Sequence, residues 1–474
     1  MDLLLANAFM LGLDAEEQRI MRPHPPLGVL YLSSHLKARG FDVGVFDGTF
    51  QSLEGFADRL QRDRPGVVGI AVNLMTKRNA LAMIALARRY GARVVIGGPD
   101  PPHHAESYLT AGADVVVIGE GERTLEELLP LLLASHPVRR SLDEGGSLGE
   151  GGSAIDGIAF RLPDGSVRRT PARTLIPDLD AQPFPDRSAI DLPAYLNAWR
   201  ERHGVGTVSL ITARGCPYTC TWCSRSVFGE THRRRSVANV ADEVEAIVDR
   251  YHPERLWYAD DVFAIHRTWT IDYARELDRR RLRLPFECIS RAERIDDAVA
   301  DALVSLGCFR VWIGSESGSQ KILDAMKRKV AVDQVRESAQ RLRRRGIEVG
   351  MFIMLGYDGE DLADLQATVD HLKRTAPDVF LTTVSYPIKG TPYYNAIADR
   401  LAAVKPWHAS TDRDLVVRGR PVKTYYDFAR RWMTAEVARD QHWRRGRYAR
   451  AAKAASSALV GRVGMAVTEH WRER

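Results

Sequence analysis

Cysteine is scarce: five stand in 474 residues, and three of them fall within eight positions, at Cys216, Cys220 and Cys223. An odd, clustered set excludes the disulfide framework of a small secreted domain, and a reducing compartment would leave these thiols free to ligate. Long apolar runs are missing as well, since none reaches the roughly 18 residues of a membrane-spanning helix. The opening "MDLLLANAFMLGLDAEEQ" has Asp2 where a secretory signal carries basic residues, so a cytoplasmic location is expected. Low-complexity tracts are absent, and 45% hydrophobic with 27% charged residues is ordinary for a globular chain. A basic groove across the body is lacking too. Residues 421–474 hold 12 lysines and arginines against 5 acidic residues, while the whole chain carries only +6. The body is therefore near neutral, no nucleic-acid partner is expected, and a basic C-terminal extension stands apart.

What is present begins with alternation. The runs "DLLLA", "DVGVF", "GVVGIAV", "RVVIGG" and "ADVVVIG", between residues 2 and 119, read as buried parallel strands. Between them, "LGVLYLSSHLKARG" and "RNALAMIALARRYG" have helical apolar spacing closed by glycine. The fold class expected is α/β, with a Rossmann-like doubly wound domain over residues 1–136. Ligands of such sheets sit beyond the carboxyl ends of the strands. There lie "GGPDPPHH", with Gly97 and Gly98, and "GEGERT", with Glu120 and Gly121. A glycine pair lets backbone approach a flat or phosphate-bearing ligand, or merely makes the turn.

Residues 137–205, rich in Gly, Ser and Pro, read as a linker containing a small hairpin that turns at Asp164-Gly165. From 206 to 400 six further strand candidates, from "GTVSLITARG" to "VFLTTVSYP", alternate with helices. Six such units predict a partial (β/α)6 barrel, whose chemistry collects at the carboxyl ends of its strands. The three cysteines fall at the first of those ends.

Thiolates at C-x3-C-x2-C on an irregular loop can wrap one corner of a 4Fe-4S cube and leave one iron without a protein ligand. A structural zinc site is the alternative, with His232 or Cys288 as a fourth ligand, but no second ligand pair follows at the usual spacing. Burial in the core is the expected use of Cys288 and Cys308.

This loop, after the first strand of a partial barrel, resembles the hallmark of the radical S-adenosylmethionine (radical SAM) superfamily. The resemblance implies that Cys216, Cys220 and Cys223 ligate a 4Fe-4S cluster, which binds S-adenosylmethionine and cleaves it to a 5′-deoxyadenosyl radical. It implies also that Trp222 packs near the adenine, that Glu316 and Ser317 in "GSESGSQ" meet the ribose, and that Gly356 in "FIMLGYDGED" gives room to the adenine. Asp260 and Asp261 in "WYADD" are placed to hold the ligand's ammonium group or a substrate.

The stretches "PHPPLGVLYLSSHLKARGFDV", "VVIGGPDPPHHAESYL", "ADVVVIGEGERTLEELL" and "YPIKGTPYY" resemble one branch of that superfamily, the cobalamin-binding enzymes that include the anaerobic magnesium-protoporphyrin monomethyl ester cyclase and the hopanoid-modifying enzymes. Cobalamin is then expected near Gly97, Gly98, Glu120 and Gly121. The cobalt-ligating D-x-H-x-x-G pattern is absent, which leaves the lower ligand of cobalt open. His24, His103 and His104 are loop histidines that could approach the corrin or be structural. Two reactions fit the branch: methyl transfer to an unactivated carbon, or oxidation, cyclisation or ring contraction of a lipid, tetrapyrrole or natural product. A cobalamin-independent radical enzyme with an N-terminal interaction module is a third reading, and a non-catalytic iron-sulfur or zinc protein a fourth. The partners implied are a small-molecule or lipid-like substrate and an electron donor such as flavodoxin or ferredoxin, under anaerobic conditions.

The extension, residues 401–474, is expected to be helical, with Trp432, Trp443, Tyr448 and Trp471 among arginines. It packs on the barrel with a solvated basic face, or lies on an anionic membrane.

Overall fold

The computed structural model describes residues 1–134 and 148–473. The chain forms two compact units. The first comprises Met1–Pro217, Ser224–Trp257 and Trp407–Thr411, and the second Tyr218–Cys223, Tyr258–Pro406 and Asp412–Arg474.

The first unit is built on strands β1 (Leu3–Asn7), β2 (Val43–Asp47), β3 (Val67–Ala71), β4 (Arg93–Gly97), β5 (Val115–Val117), β6 (Ile158–Arg161) and β7 (Val167–Arg169). They lie in the order β2-β1-β3-β4-β5-β6-β7. The β1–β2, β1–β3, β3–β4 and β4–β5 pairs are parallel, and β6 and β7 are antiparallel. The near-continuous apolar runs are explained by burial on both faces. Leu4, Val68, Val94 and Val116 point into one core with Phe56, Leu60, Met83 and Ile84 of the helices Leu53–Asp63 and Lys77–Arg89. Their neighbours Leu3, Leu5, Val67, Val95 and Val115 point into the other, with Leu30, Leu36, Leu125 and Leu128 from Leu27–Lys37 and Glu122–Ala134. A period of two thus sends alternate apolar residues to opposite helical layers. This is the doubly wound arrangement that the alternation predicts.

The hairpin expected within the linker is present as β6 and β7, but it is not free of the domain. It continues the first sheet, pairing Val115 with Phe160 and Val117 with Ile158. Without it, β5 would expose a row of unpaired backbone groups. The start of that expected linker, 137–147, lies outside the described residues. The first compact unit also extends past 206, because the segment before the barrel packs on the strand Thr207–Leu210. Arg187 donates to the Ser209 carbonyl at 3.0 Å, and His24 Nδ1 lies 2.7 Å from Ser209 Oγ.

All six expected barrel strands form. Thr207–Leu210 and most of Arg255–Tyr258 belong to the first unit, and Phe286–Ser290, Cys308–Glu316, Glu348–Leu355 and Val379–Val384 to the second. The last four are parallel neighbours in chain order. Helices Asp297–Leu306, Val332–Arg344 and Leu362–Thr375 connect them, and Asp296 and Asp361 cap two of these by accepting from Val299 N and Ala363 N. The extension is helical as expected, over Lys423–Arg444 and Tyr448–Thr468, after a short ladder of Leu401–Ala403 with Leu415–Val417.

Gly98 shows where backbone shape is decisive. Its φ is +113° and a Cβ would lie 2.4 Å from the Val72 carbonyl oxygen, so only glycine fits the turn after β4. Gly98→Ala is expected to destabilise the protein by about 1–3 kcal/mol. A lowered urea midpoint would show it, and an unchanged midpoint would refute the account.

Candidate functional site

In the first unit the loops after β4 and β5 bring Gly97, Gly98, Glu120 and Gly121 to one end of two adjacent strands, the binding end of such a sheet. The Glu120 side chain, however, is already occupied. Its buried carboxylate accepts from Arg214 at 2.8 Å, from Arg233 at 2.8 Å and from the backbone NH of Ile176 at 2.7 Å. Glu122 adds a second ion pair to Arg214 at 2.7 Å. Burial disfavours the Arg214 charge, yet Glu122 and Glu120 hold its pKa above the ordinary value. Glu120 is therefore an anchor for Arg214, two residues before Cys216, and its side chain is not a free cofactor contact. Gly121 has a reason in the fold too, since a Cβ there would meet Leu32 at 3.1 Å.

The other flank of the cysteine loop is tied to the same end of the sheet, Ser226 Oγ donating to the Pro99 carbonyl at 2.8 Å. Gly215 opens the loop with φ +84°, and a Cβ there would strike the Thr231 carbonyl at 2.3 Å. Of the three loop histidines, His24 is enclosed by Trp199 and Trp257, and burial pushes its pKa down to about 4. It is a neutral packing group bonded to Ser209, not a cobalt ligand. His103 and His104 do lie in the loop after β4, and His104 is 6.0 Å from the Trp407 ring.

In the second unit Cys220 is buried and Cys223 exposed, and Cys216 of the first unit is half-buried; none of the three is in a disulfide. The guanidinium of Arg291, at the end of the third barrel strand, donates to Cys220 Sγ at 3.6 Å and stacks on Tyr218 at 3.7 Å. Burial pushes the Cys220 thiol pKa up and Arg291 opposes it, so the positive charge favours the thiolate, the form that binds metal. Between the cysteines, Thr221 is clamped. Its hydroxyl lies 2.6 Å from Tyr357 OH, its NH donates to Met326 O at 3.1 Å, and its carbonyl accepts from Tyr393 N at 2.9 Å. Trp222 packs on the cluster that contains Met354, Tyr357 and Tyr393, the two tyrosines being stacked 4.6 Å apart.

Gly356 joins this group at the end of the fifth barrel strand. Its φ of +72° and the Tyr426 ring, 2.7 Å from where a Cβ would stand, both require glycine. Its NH donates to Glu360 Oε2 at 2.5 Å. Glu316 closes the fourth strand in an unusual way. The register shifts between Gly314 and Glu316, and Glu316 has φ +60°; a bulge followed by a left-handed residue re-aims the side chain. Burial pushes its carboxyl up to about 8, opposed by Arg291. Ser317 is buried against the helix Leu362–Thr375, its hydroxyl 3.1 Å from Thr368 Oγ1 and accepting from Ser319 N at 3.1 Å. Its side chain is thus committed within the fold. Asp260 is buried at the end of the second barrel strand, and burial together with Asp260 raises the Asp261 pKa.

Cys288 and Cys308 are buried neighbours, and burial and their hydrogen bond hold the Cys288 thiol well above its ordinary pKa. Cys288 is a packing residue, as expected, and does not serve as a zinc ligand. Thr221 is a site residue that the sequence does not single out, and Arg291 reads from the sequence only as one of the polar residues that close a strand, with no role attached.

Comparison with known proteins places both halves of the chain in known families. The B12 binding domain family matches residues 19–129 and the radical SAM superfamily residues 210–372. The uncharacterized methyltransferase PH0819 of Pyrococcus horikoshii is 28% identical over 403 residues, covering 83% of each chain. The anaerobic magnesium-protoporphyrin IX monomethyl ester cyclase of Rubrivivax gelatinosus is 26% identical over 387 residues, 80% of this chain and 67% of that one. The fold is shared with the radical S-adenosylmethionine methyltransferase TsrM from Kitasatospora setae, solved with cobalamin and a 4Fe-4S cluster. Its TM-score is 0.69 at 22% identity, covering 85% of this chain and 79% of that one. Fold and sequence together define an enzyme in which a doubly wound cobalamin domain precedes a partial-barrel radical domain. The chain belongs to the cobalamin-binding radical SAM enzymes, and its cofactors are a 4Fe-4S cluster, S-adenosylmethionine and cobalamin.

Two expectations follow for the cofactor-free protein. Glu120→Ala should cost about 3–5 kcal/mol, because it leaves Arg214 and Arg233 buried with less countercharge; a loss below about 1 kcal/mol in urea unfolding would show that Glu120 is not the anchor. Glu316 binds its proton more tightly in the folded state, so its contribution is complete below about pH 4.5 and is lost as the pH rises through 8. Glu360, also pushed up to about 8 by burial, acts in the same sense. Stability should therefore fall between about pH 4.5 and 8 and level off above, and Glu316→Gln should remove about half of that fall. An unchanged slope in the variant would exclude the assignment.

Proposed function

We propose that this enzyme is a methyltransferase acting on an unactivated carbon of a small molecule, with Cys216, Cys220 and Cys223 as the cluster ligands. The observation that carries the cluster assignment is the Arg291 guanidinium at Cys220 Sγ, on a loop of three cysteines outside any disulfide and clamped at Thr221. The donor set fits an iron-sulfur cluster: three soft ligands close in sequence, with a cation beside one of them. When bound, the cluster supplies the electron that cleaves S-adenosylmethionine, and cobalamin supplies the cobalt that carries a methyl group.

The chain's own residues hold and shape the site. Thr221 keeps the loop against Met326 and Tyr357, while Trp222, Tyr357 and Tyr393 form an apolar aromatic wall that excludes water. Glu316, buried and re-aimed by the bulge, is assigned to the ribose hydroxyls, and Asp260 to the ammonium group of S-adenosylmethionine. The loop after β4, with Gly97 and Gly98, offers backbone to cobalamin, and Glu120 fixes the entry to the cysteine loop. Methyl transfer is favoured because the relative that aligns over 83% of both chains is named a methyltransferase. Oxidative cyclisation is the second reading, supported by the relative named a cyclase. A reduced flavodoxin or ferredoxin is the assigned electron source.

Cys220→Ala is expected to lose its iron and all 5′-deoxyadenosine formation under reducing conditions, and to keep cobalt near the wild-type content. Elemental analysis of anaerobically purified protein and chromatography of the products measure both. Deoxyadenosine formation that persists in the variant would overturn the ligand assignment. With methyl-labelled S-adenosylmethionine, label recovered in the cobalamin fraction supports methyl transfer, whereas deoxyadenosine without such label points to oxidation or cyclisation.

A further inference from the structure

We propose that the outer face of the last helix, Tyr448–Thr468, together with the basic turn before it, is a docking surface for an anionic lipid bilayer. The inference rests on the C-terminal hairpin alone and is independent of the reaction assigned above.

The helix has two apolar faces, and only one is used. Its inner face meets Lys423–Arg444 so closely that a Cβ on Gly461 would lie 2.7 Å from the Trp432 backbone, and one on Gly464 2.4 Å from the Phe428 ring. Ala451, Ala458 and Met465 are buried on the same side. On the opposite side Leu459, Val463 and Val467 are 65%, 54% and 61% exposed, with Val460 at 46%. At 3.6 residues per turn these four share an arc of about 100° with Ala452 and Ser456. No acidic or basic residue of the helix falls within that arc. Large apolar side chains exposed side by side on the face opposite the packed one mark a surface that needs a cover.

Charge identifies the cover. The turn between the two helices exposes Arg445 and Arg447, and the first turn of the last helix exposes Arg450; none of the three has an acidic partner among the described residues. Trp443 and Tyr448 are also exposed there, their rings 5.1 Å apart, and Trp471 is exposed at the far end of the helix. A charge-free apolar stripe, a cationic end and aromatic rings at both ends match a helix lying in the plane of a bilayer, its cations among anionic headgroups. A second copy of the chain would instead bring together two surfaces of the same sign, because residues 421–474 hold 12 basic and 5 acidic residues. No described helix is long and apolar enough to cross a membrane, so the contact is peripheral.

The test is sedimentation of the full-length protein, cofactors bound, with vesicles of phosphatidylcholine alone or mixed with phosphatidylglycerol. Binding is expected to the mixed vesicles, and Val463→Glu combined with Val467→Glu should weaken it by about tenfold or more. Arg445→Glu with Arg447→Glu should abolish the preference for the anionic lipid. All four positions are exposed, so cobalt and iron content should stay at the wild-type level and report intact folding. Absence of binding to the mixed vesicles overturns the proposal, as does undiminished binding of the valine variants or equal binding to both lipids. A dimer in sedimentation equilibrium that Val463→Glu dissociates, without vesicle binding, would assign the stripe to self-association instead.

Discussion

The buried ion pairs of Glu120 couple the parallel sheet to the cysteine loop. One carboxylate at the end of β5 takes charge-assisted hydrogen bonds from Arg214 and Arg233, far along the chain, and a backbone NH from Ile176. Ions so deeply buried are costly to desolvate and add little net stability, but their geometry is demanding and a broken set is heavily penalised. Their value is positional. Arg214 is held by two glutamates and lies over the rings of Tyr31 and Phe228, so the backbone enters Gly215 and Cys216 from a fixed point. The cysteine loop itself has almost no regular structure. Its order comes from outside, through Arg214, Ser226, Thr221 and Arg291.

The same economy appears at the barrel's strand ends. The third strand ends in Arg291, which addresses Cys220; the fourth ends in the bulge that turns Glu316; the fifth ends in Gly356 against Tyr426. Parallel strands bring these three ends to one side of the sheet without long loops. The helices behind them hold the supporting contacts, such as Thr368 on Ser317 and Asp364 on Ser319. The buried residues at the strand ends are thus fixed by a packed layer behind them.

The elements that read plainly from the chain are those whose signal is local. Val94 and Val95 announce a strand buried on both faces, and each enters a different core. The spacing of Cys216, Cys220 and Cys223 likewise needs no distant partner to be recognised. What stayed hidden depends on residues remote in sequence. Glu120 in "GEGERT" looks like a loop carboxylate awaiting a ligand, because nothing nearby shows that Arg214 and Arg233 fill it. The hairpin of β6 and β7 reads as part of a linker, because its pairing with β5 spans some forty residues. His24 looks like a free loop histidine until Trp199, Trp257 and Ser209 surround it. Glu316 gives no hint of positive φ, because that conformation is imposed by the register shift between strands and is not preferred by glutamate.

The meeting of Gly356 with Tyr426 has a consequence in time. The glycine at the end of the fifth strand is covered by a ring from a helix that the ribosome delivers much later. A nascent chain therefore completes every barrel strand before it possesses the residue that seals the last but one. The first sheet can settle early, since all seven of its strands precede residue 170. The barrel must wait, its aromatic wall partly open, until nearly the whole polypeptide has left the exit tunnel.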